Sequence, residues 1–434
     1  MKEQRHDVPP YPHGPSEQSQ DSEGKLFDLL QQRVTSRRIG GGEHPQLWDR
    51  SADVVDGLAI EYPGEPTQTI MTTYDYLGLL GHPAINESAK AAIDVYGTGG
   101  HGSPAAAASL TLHRRLEQRL AAFTGQEAAI LFPSGFQANA TLLAALTGKG
   151  DQIFSDELNH ASIITGCKVA AAQGAQVHTV RHNDAGHLSE LLADAPADCL
   201  KVVVCDSVFS ADGDLLDLPA FEETCQAHQA VLYLDEAHGI GILGPHGKGI
   251  HDHYGRPRPA TSLVMGTLSK TLPASGGFLA APRALTEALH TSALGHVFSG
   301  SLTASAAGAA LAALDVLEAE GEDRRARLRY NVRYFVDGAR RKGLIGREEG
   351  PYESAIVPLL TGDDHRAMHI AEHCRRNGVM VVPFVWPIAA RGNARLRVNL
   401  TARHTTTDID RSLDVLETAF RANPQGPWQT ERDR

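Results

Sequence analysis

The sequence predicts an α/β protein with a mostly parallel sheet, covered by helices on both faces, and a smaller C-terminal α/β domain. Three observations carry that expectation. Between about residues 84 and 300, short apolar runs alternate with helical patterns. The runs are continuously apolar, as strands buried on both faces must be. Beyond about residue 343 a second, shorter series of strands and helices follows a long helical stretch, with no internal repeat.

Taken in order, residues 1–24 are polar and rich in Pro, Ser and Gln, which predicts a disordered tail. KLFDLLQQRV, from Lys25, has the spacing of a short amphipathic helix and opens an N-terminal arm over 25–70. TIMTTYDYLGL reads as a strand running into a turn. The large domain is expected over 71–315. Its buried strands are AAILF (128–132), QIFSD (152–156), KVVVCD (201–206), AVLYLD (230–235), SLVMG (262–266) and GFLAA (277–281). Helices fill the gaps at His113–Phe123, Phe136–Leu146 and Leu218–His228. A long helix or helix pair is expected near 303–343. SAIVPLL, a helix near 364–377, VMVVPF, ARLRVNL and a helix near 406–421 then form a smaller domain over 316–425, with a tail at 426–434.

Composition excludes several function classes. The 434 residues carry a formal charge of −12 and no basic run interleaved with aromatics, which argues against nucleic acid. No stretch reaches the roughly 18 uninterrupted apolar residues of a membrane span. The N-terminal residues lack the apolar core of a secretory signal, so a cytoplasmic protein is expected. Five scattered cysteines form no C-x-x-C pair and predict neither disulfides nor a zinc site.

Two matches to G-x-G-x-x-G are weak. GTGGHG (97–102) follows a helical pattern, and GIGILG (239–244) is followed by PHGKG where a helix would have to start. His246, His251, Asp252 and His253 lack regular ligand spacing and read as a solvated loop. Polar residues at strand ends are more informative, because this architecture binds ligands there. Asp235 ends one apolar strand, with His238 three residues on. Another strand leads into Thr267, Ser269 and Lys270, an amine among small side chains. A plain reading pairs buried Asp235 with Lys270. The competing reading is a pyridoxal phosphate site. It needs a lysine for the aldehyde, an acid for the ring nitrogen and donors for the phosphate. FPSGFQAN offers Ser134 and the amides of Gly135 and Phe136 at a helix start. His160 of NHAS could lie flat on the ring, and Ser210 of SVFSADGD could face its hydroxyl.

Together, YDYLGL, FPSGFQAN, NHASI, VFSADGD, LDEAHGIGILGPHGKG and GTLSKTLPASGG resemble the α-oxoamine synthase family of fold-type-I pyridoxal phosphate enzymes. The resemblance runs from about Thr72 to Thr418. It implies a seven-stranded sheet in the large domain and a homodimer sharing its sites. The reaction implied is decarboxylative condensation of an amino acid with an acyl thioester. Alternatives are a fold-type-I aminotransferase, or a synthase of the biotin pathway.

By the same resemblance Lys270 bonds the cofactor, Asp235 pairs with the ring nitrogen, and His160 stacks on the ring. His238 sits near the ring oxygen and the incoming carbonyl, and Ser210 at the ring oxygen. Ser134, Gly135, Phe136 and Thr267 fall on phosphate or turn positions. VFSGSLTAS points to Ser299 or Ser301 reaching the neighbouring subunit's phosphate. ARLRVNLTARH points to Arg397 clamping the substrate carboxylate, and Tyr74 stands at a substrate-facing position. The stretch Pro104–Ala108 departs from the family's pattern. It is read either as a plain helix start or as an altered substrate pocket.

Overall fold

A computed structural model describes residues 22–35, 50–346 and 350–424. Helix α1 (Ser22–Thr35) begins inside the expected tail, since a Ser-Glu pair ahead of an apolar run opens a helix. Residues 1–21 and the tail at 426–434 lie outside the described residues. Three short strands follow: β1 (Val54–Val55), β2 (Ala59–Glu61) and β3 (Gln68–Ile70). Helix α2 (Pro83–Tyr96) opens on a proline, and α3 (Thr111–Thr124) stops at Gly125, whose φ of 72° suits a residue without Cβ.

The large sheet alternates with its helices in sequence order. Its first half is β4 (Ala128–Phe132), α4 (Gly135–Leu146), β5 (Gln152–Asp156), α5 (Ala161–Ala172), β6 (Gln176–Val180) and α6 (Ala185–Ala193). The second half is β7 (Lys201–Asp206), α7 (Leu218–Ala227), β8 (Val231–Asp235), α8 (Ile250–His253), β9 (Ser262–Ser269) and β10 (Pro273–Ala281). The seven strands lie in the order β4-β10-β9-β8-β7-β5-β6. From β9 to β6 every pair is parallel, and β10 runs antiparallel to both β4 and β9. Register sets Asp206 opposite Asp235 and Asp235 opposite Met265, so the strands deliver their polar ends at one level. Edge strand β6 was not expected, because QVHTV is largely exposed and carries no continuous apolar run.

Helices α9 (Arg283–Ser292) and α10 (Leu294–Val297) lead into α11 (Ala304–Arg341), a single helix of 38 residues. The expected division at 315/316 falls inside it. Its Ala-rich first half is buried, since small side chains let neighbouring elements pack close to the helix axis. The rest is β11 (Ile356–Gly362), α12 (Asp364–Arg376), β12 (Val379–Met380), β13 (Val382–Phe384), β14 (Ala394–Asn399) and α13 (Thr406–Ala422). Strands β11-β14-β13 make an antiparallel sheet.

The N-terminal arm is built into this C-terminal half. Strands β1-β2-β3 are completed by β12, which pairs parallel with β3, and Thr72 bridges to Asn399. Asn399 donates to the Thr73 carbonyl at 3.1 Å, and Thr401 Oγ1 donates to that of Asp75 at 2.6 Å. The turn YDYLGL is therefore held by β14 and the residues after it. No helix among the described residues is long and apolar enough to cross a membrane.

Candidate active site

The site forms at the carboxyl ends of β7, β8 and β9, under the turn that carries Tyr74 and Tyr76. Lys270 directly follows β9, and its Nζ lies 2.8 Å from His238 Nε2. The other imidazole nitrogen, Nδ1, lies 2.7 Å from the hydroxyl of Tyr76, a residue with no exposed surface. Burial pushes the Lys270 amine down to about 8, and Arg397 adds to it, against the opposing pull of Asp235 and Asp206. His238 is held well below the usual histidine range by burial, with Lys270 and Arg397 acting in the same direction.

Asp235 is not paired with Lys270 by a hydrogen bond, which removes the plain reading of the two residues. Its Oδ2 accepts from Asn139 Nδ2 at 2.6 Å and its Oδ1 from the Ala237 amide at 2.9 Å. Asn139 comes from α4; its Nδ2 also donates to Ser162 Oγ at 2.9 Å, and its Oδ1 accepts from Tyr233 at 2.8 Å. Asp206, on the neighbouring strand, is raised well above the carboxylate range by burial and by Asp235. It accepts the His160 amide at 2.8 Å. The His160 side chain caps α5 and the residue is exposed, with Nδ1 2.7 Å from Ser162 Oγ, which also accepts from Asn139.

Ser134 caps α4 by accepting from the Gln137 amide at 3.1 Å. That leaves the Gly135 and Phe136 amides among the first-turn donors that a helix cannot satisfy internally. A Cβ on Gly135 would lie 3.1 Å from the Thr267 side chain, and one on Gly277 would lie 2.6 Å from Gly135 Cα. The absent side chains let the start of α4 pack directly against β9 and β10, bringing its first amides close to Thr267. Thr267 Oγ1 and Ser269 Oγ are 2.8 Å apart, and Thr267 donates to the Gly276 carbonyl at 3.1 Å.

Arg397 projects from β14. Its Nη2 donates to Tyr74 OH at 2.9 Å and its Nη1 to the Ser210 carbonyl at 3.3 Å, while the Phe384 ring centre lies 4.4 Å from its guanidinium carbon. Its Nε is buried without a partner. A buried unmet donor on a guanidinium fork suits a carboxylate ligand. Ser210 is brought here through its backbone carbonyl, and no hydrogen bond of its hydroxyl appears. Two residues along β14, Arg395 is ion-paired with Asp212 of the same loop. A cleft of about 500 Å³ opens beside Lys270, bounded by Tyr74, Asp75, Ser275, Thr303 and Ser305.

No hydrogen bond among the described residues joins Ser299 or Ser301 to this group. Ser301 Oγ donates to the Gly100 carbonyl at 3.2 Å and its amide to that of Gly102 at 3.0 Å. No helix starts at Pro104: residues 104–107 form a turn, and α3 begins at Thr111. The solvated-loop reading of the histidine cluster does not hold: His251, Asp252 and His253 lie in α8, and His251 is buried with Nε2 2.8 Å from Glu222, while exposed His246 pairs with Asp252 at 2.9 Å; no metal-holding cluster occurs among the described residues. All five cysteines are free. Sequence reasoning missed Tyr76, Asn139, Asp206 and Phe384. The tyrosine and asparagine lay inside quoted motifs, YDYLGL and FPSGFQAN, where burial alone marks them out.

The residues present suit pyridoxal phosphate: an amine of lowered basicity, a bonded carboxylate, an exposed imidazole, and a helix start whose first amides have no intrahelical acceptor. Known proteins agree. The family model described as aminotransferase class I and II matches residues 66–416. An 8-amino-7-oxononanoate synthase from Symbiobacterium thermophilum is 37% identical over 393 residues, covering 89% of this chain and 96% of that protein. One from Marinobacter nauticus is 37% identical over 382 residues, covering 88% and 91%. Among solved structures, a serine palmitoyltransferase from Sphingomonas wittichii superposes with a TM-score of 0.83 at 30% identity, covering 93% of this chain and 98% of that one. Another, from S. paucimobilis and holding a PLP–myriocin adduct, gives 0.84 at 28% identity, covering 93% and 99%.

Proposed function

Because the chain belongs to the α-oxoamine synthases, within the class I and II aminotransferase family, we propose roles for its site residues in that family's condensation. The enzyme is an acyltransferase that uses pyridoxal phosphate to join an amino acid to an acyl thioester. When bound, the cofactor supplies an electron-withdrawing ring next to the amino acid's α-carbon.

The observation that carries the assignment is Lys270 Nζ at 2.8 Å from His238 Nε2, one strand away from Asp235. Lys270 would hold the cofactor through its aldehyde carbon, and its amine, pushed down to about 8, would serve as the base for the α-proton. Asp235, oriented by Asn139 and Ala237, would pair with the ring nitrogen. His160 covers the ring face. Ser134, Gly135, Phe136 and Thr267 receive the phosphate. Arg397 turns its unmet Nε towards the substrate carboxylate, with Tyr74 fixing one arm of the fork. His238 donates to the oxygen that gains charge as the thioester carbonyl is attacked.

The second copy belongs to the same proposal. Among the described residues no hydrogen bond joins Ser299 or Ser301 to their own chain's Lys270, and Phe298 beside them is 81% exposed. A segment of that kind suits completion of a neighbour's site. The free cysteines favour a reducing, cytoplasmic setting.

Lys270→Ala is expected to abolish the visible band of the covalently held cofactor; an unchanged spectrum refutes the assignment of Lys270. Acyl transfer is separated from transamination by substrates. A synthase releases thiol and carbon dioxide only when amino acid and acyl thioester are both present. An aminotransferase converts the cofactor to its stable amine form with amino acid alone.

A further inference from the structure

One hydrogen-bonded file leads from the protein interior to the reacting amine: Tyr76 OH, His238 Nδ1, His238 Nε2, Lys270 Nζ, with contacts of 2.7 and 2.8 Å. Its inner end is fixed from the C-terminal half, where Ala402 donates to the Tyr76 carbonyl at 2.8 Å. The Tyr76 side chain has no exposed surface, and Nδ1 is its hydroxyl's only hydrogen-bond partner among the described residues. We propose that Tyr76 is a positioning residue that sets the tautomer of His238: the phenol donates to Nδ1, so the imidazole proton resides on Nε2, facing Lys270.

The argument is one of donors and acceptors. A neutral imidazole carries its proton on one nitrogen only. If that proton sat on Nδ1 it would point at the Tyr76 oxygen, and the phenol proton would have no other acceptor among the described residues. Leaving a buried donor unmet disfavours that arrangement by about tenfold or more. With Nδ1 accepting from the phenol, Nε2–H points at Nζ and requires a lone pair there. The file is therefore complete only when the Lys270 amine is uncharged or engaged with the cofactor. The charged groups around that amine are Asp235, Asp206, Arg397 and His160. None of them hydrogen-bonds to His238, whose ring meets Tyr76 at Nδ1 and Lys270 at Nε2 among the described residues; with the amine uncharged or engaged with the cofactor, Tyr76 is the group that selects between the tautomers.

This gives a chemical reason for a tyrosine rather than a phenylalanine at position 76. The proton on Nε2 is the one His238 needs in order to donate to the thioester oxygen. That functional weight rests on the reading of His238 and Lys270 above, whereas the tautomer itself does not. The two can fail separately: the first by the Lys270→Ala spectrum, the second by the measurement below.

The test is nitrogen NMR of the full-length holoenzyme with ¹⁵N-labelled histidine, the His238 signals being assigned by their loss in His238→Gln. The expected result is a neutral ring with bare Nδ1 and protonated Nε2 in the unmodified enzyme. In Tyr76→Phe, which keeps the ring and drops the hydroxyl, the two tautomers become comparably populated. Cofactor binding through Lys270 persists in that variant. A proton on Nδ1 in the unmodified enzyme overturns the proposal, as does an unchanged Nε2-protonated ring in a folded Tyr76→Phe protein. If Tyr76→Phe does not fold, the unmodified spectrum decides alone.

Discussion

Asn139 donates the shorter of the two hydrogen bonds that Asp235 accepts, and replacing it tests the reading of the ring-nitrogen site. In Asn139→Ala, Asp235 Oδ2 loses the donor at 2.6 Å and keeps only the Ala237 amide on its other oxygen. A hydrogen bond to a charged group contributes about 1.5–3 kcal/mol, which is roughly 10- to 150-fold in an equilibrium constant. The Tyr233 hydroxyl, left without the acceptor it reaches at 2.8 Å, affects stability rather than cofactor binding. Affinity for pyridoxal phosphate, followed by absorbance titration, is therefore expected to fall about tenfold to a hundredfold. Asn139→Asp is a sharper perturbation of the same volume. It sets a second acid against Asp235, and two such groups in contact share a proton. Binding should fall below that of the alanine variant and become steeply dependent on pH. Affinity in Asn139→Ala within about threefold of the unmodified protein would refute the dependence on this bond. So would Asn139→Asp binding as tightly as Asn139→Ala.

Two further outcomes follow from the same geometry. Arg397→Lys keeps the charge but loses the planar fork and its stacking on Phe384 at 4.4 Å. KM for the amino acid should rise about 10- to 100-fold while kcat changes much less, and an unchanged KM removes Arg397 from the carboxylate site. In the cofactor-free protein, Lys270 titrates at about 8 against an ordinary 10.5. Between those values the folded chain binds fewer protons than the unfolded one, so Lys270 makes stability rise with pH across that window. Lys270→Met should remove that rise, read as a smaller gain in urea midpoint between about pH 7.5 and about pH 10.

How much of this was legible in the sequence depended on the distance between partners along the chain. Lys270, Asp235 and His160 each stand where an apolar run ends, so strand pattern and residue type were enough to single them out. Thr267 was placed with them, and it proves to lie within β9, which runs three residues past the apolar stretch to Ser269. Tyr76 was invisible as a functional residue because its partner is 162 positions away, and a tyrosine in a turn is ordinarily just packing. The Tyr74–Arg397 bond spans 323 positions and depends on β3 pairing with β12, two strands too short to leave a periodic signal. Edge strand β6 failed for the opposite reason. Its residues face water, so the buried-strand pattern that found its neighbours had nothing to detect.

The short loop between β7 and α7 shows why the two halves of the chain have to be considered together. Arg397 donates to the Ser210 carbonyl, and Arg395 is paired with Asp212 two residues further along that loop. The alternation that sends successive strand residues to opposite faces gives both arginines one face of β14. Each therefore reaches the large domain from the smaller one. Only Arg397 keeps a buried donor unmet, so only it has capacity left for a substrate. Arg395, satisfied by Asp212, fixes the distance between β14 and the loop. Of the two, Arg397 is therefore the one that the proposed carboxylate site would use. By that reading, Asp212→Ala is expected to raise KM for the amino acid without removing any group that touches it, and an unchanged KM would refute the link.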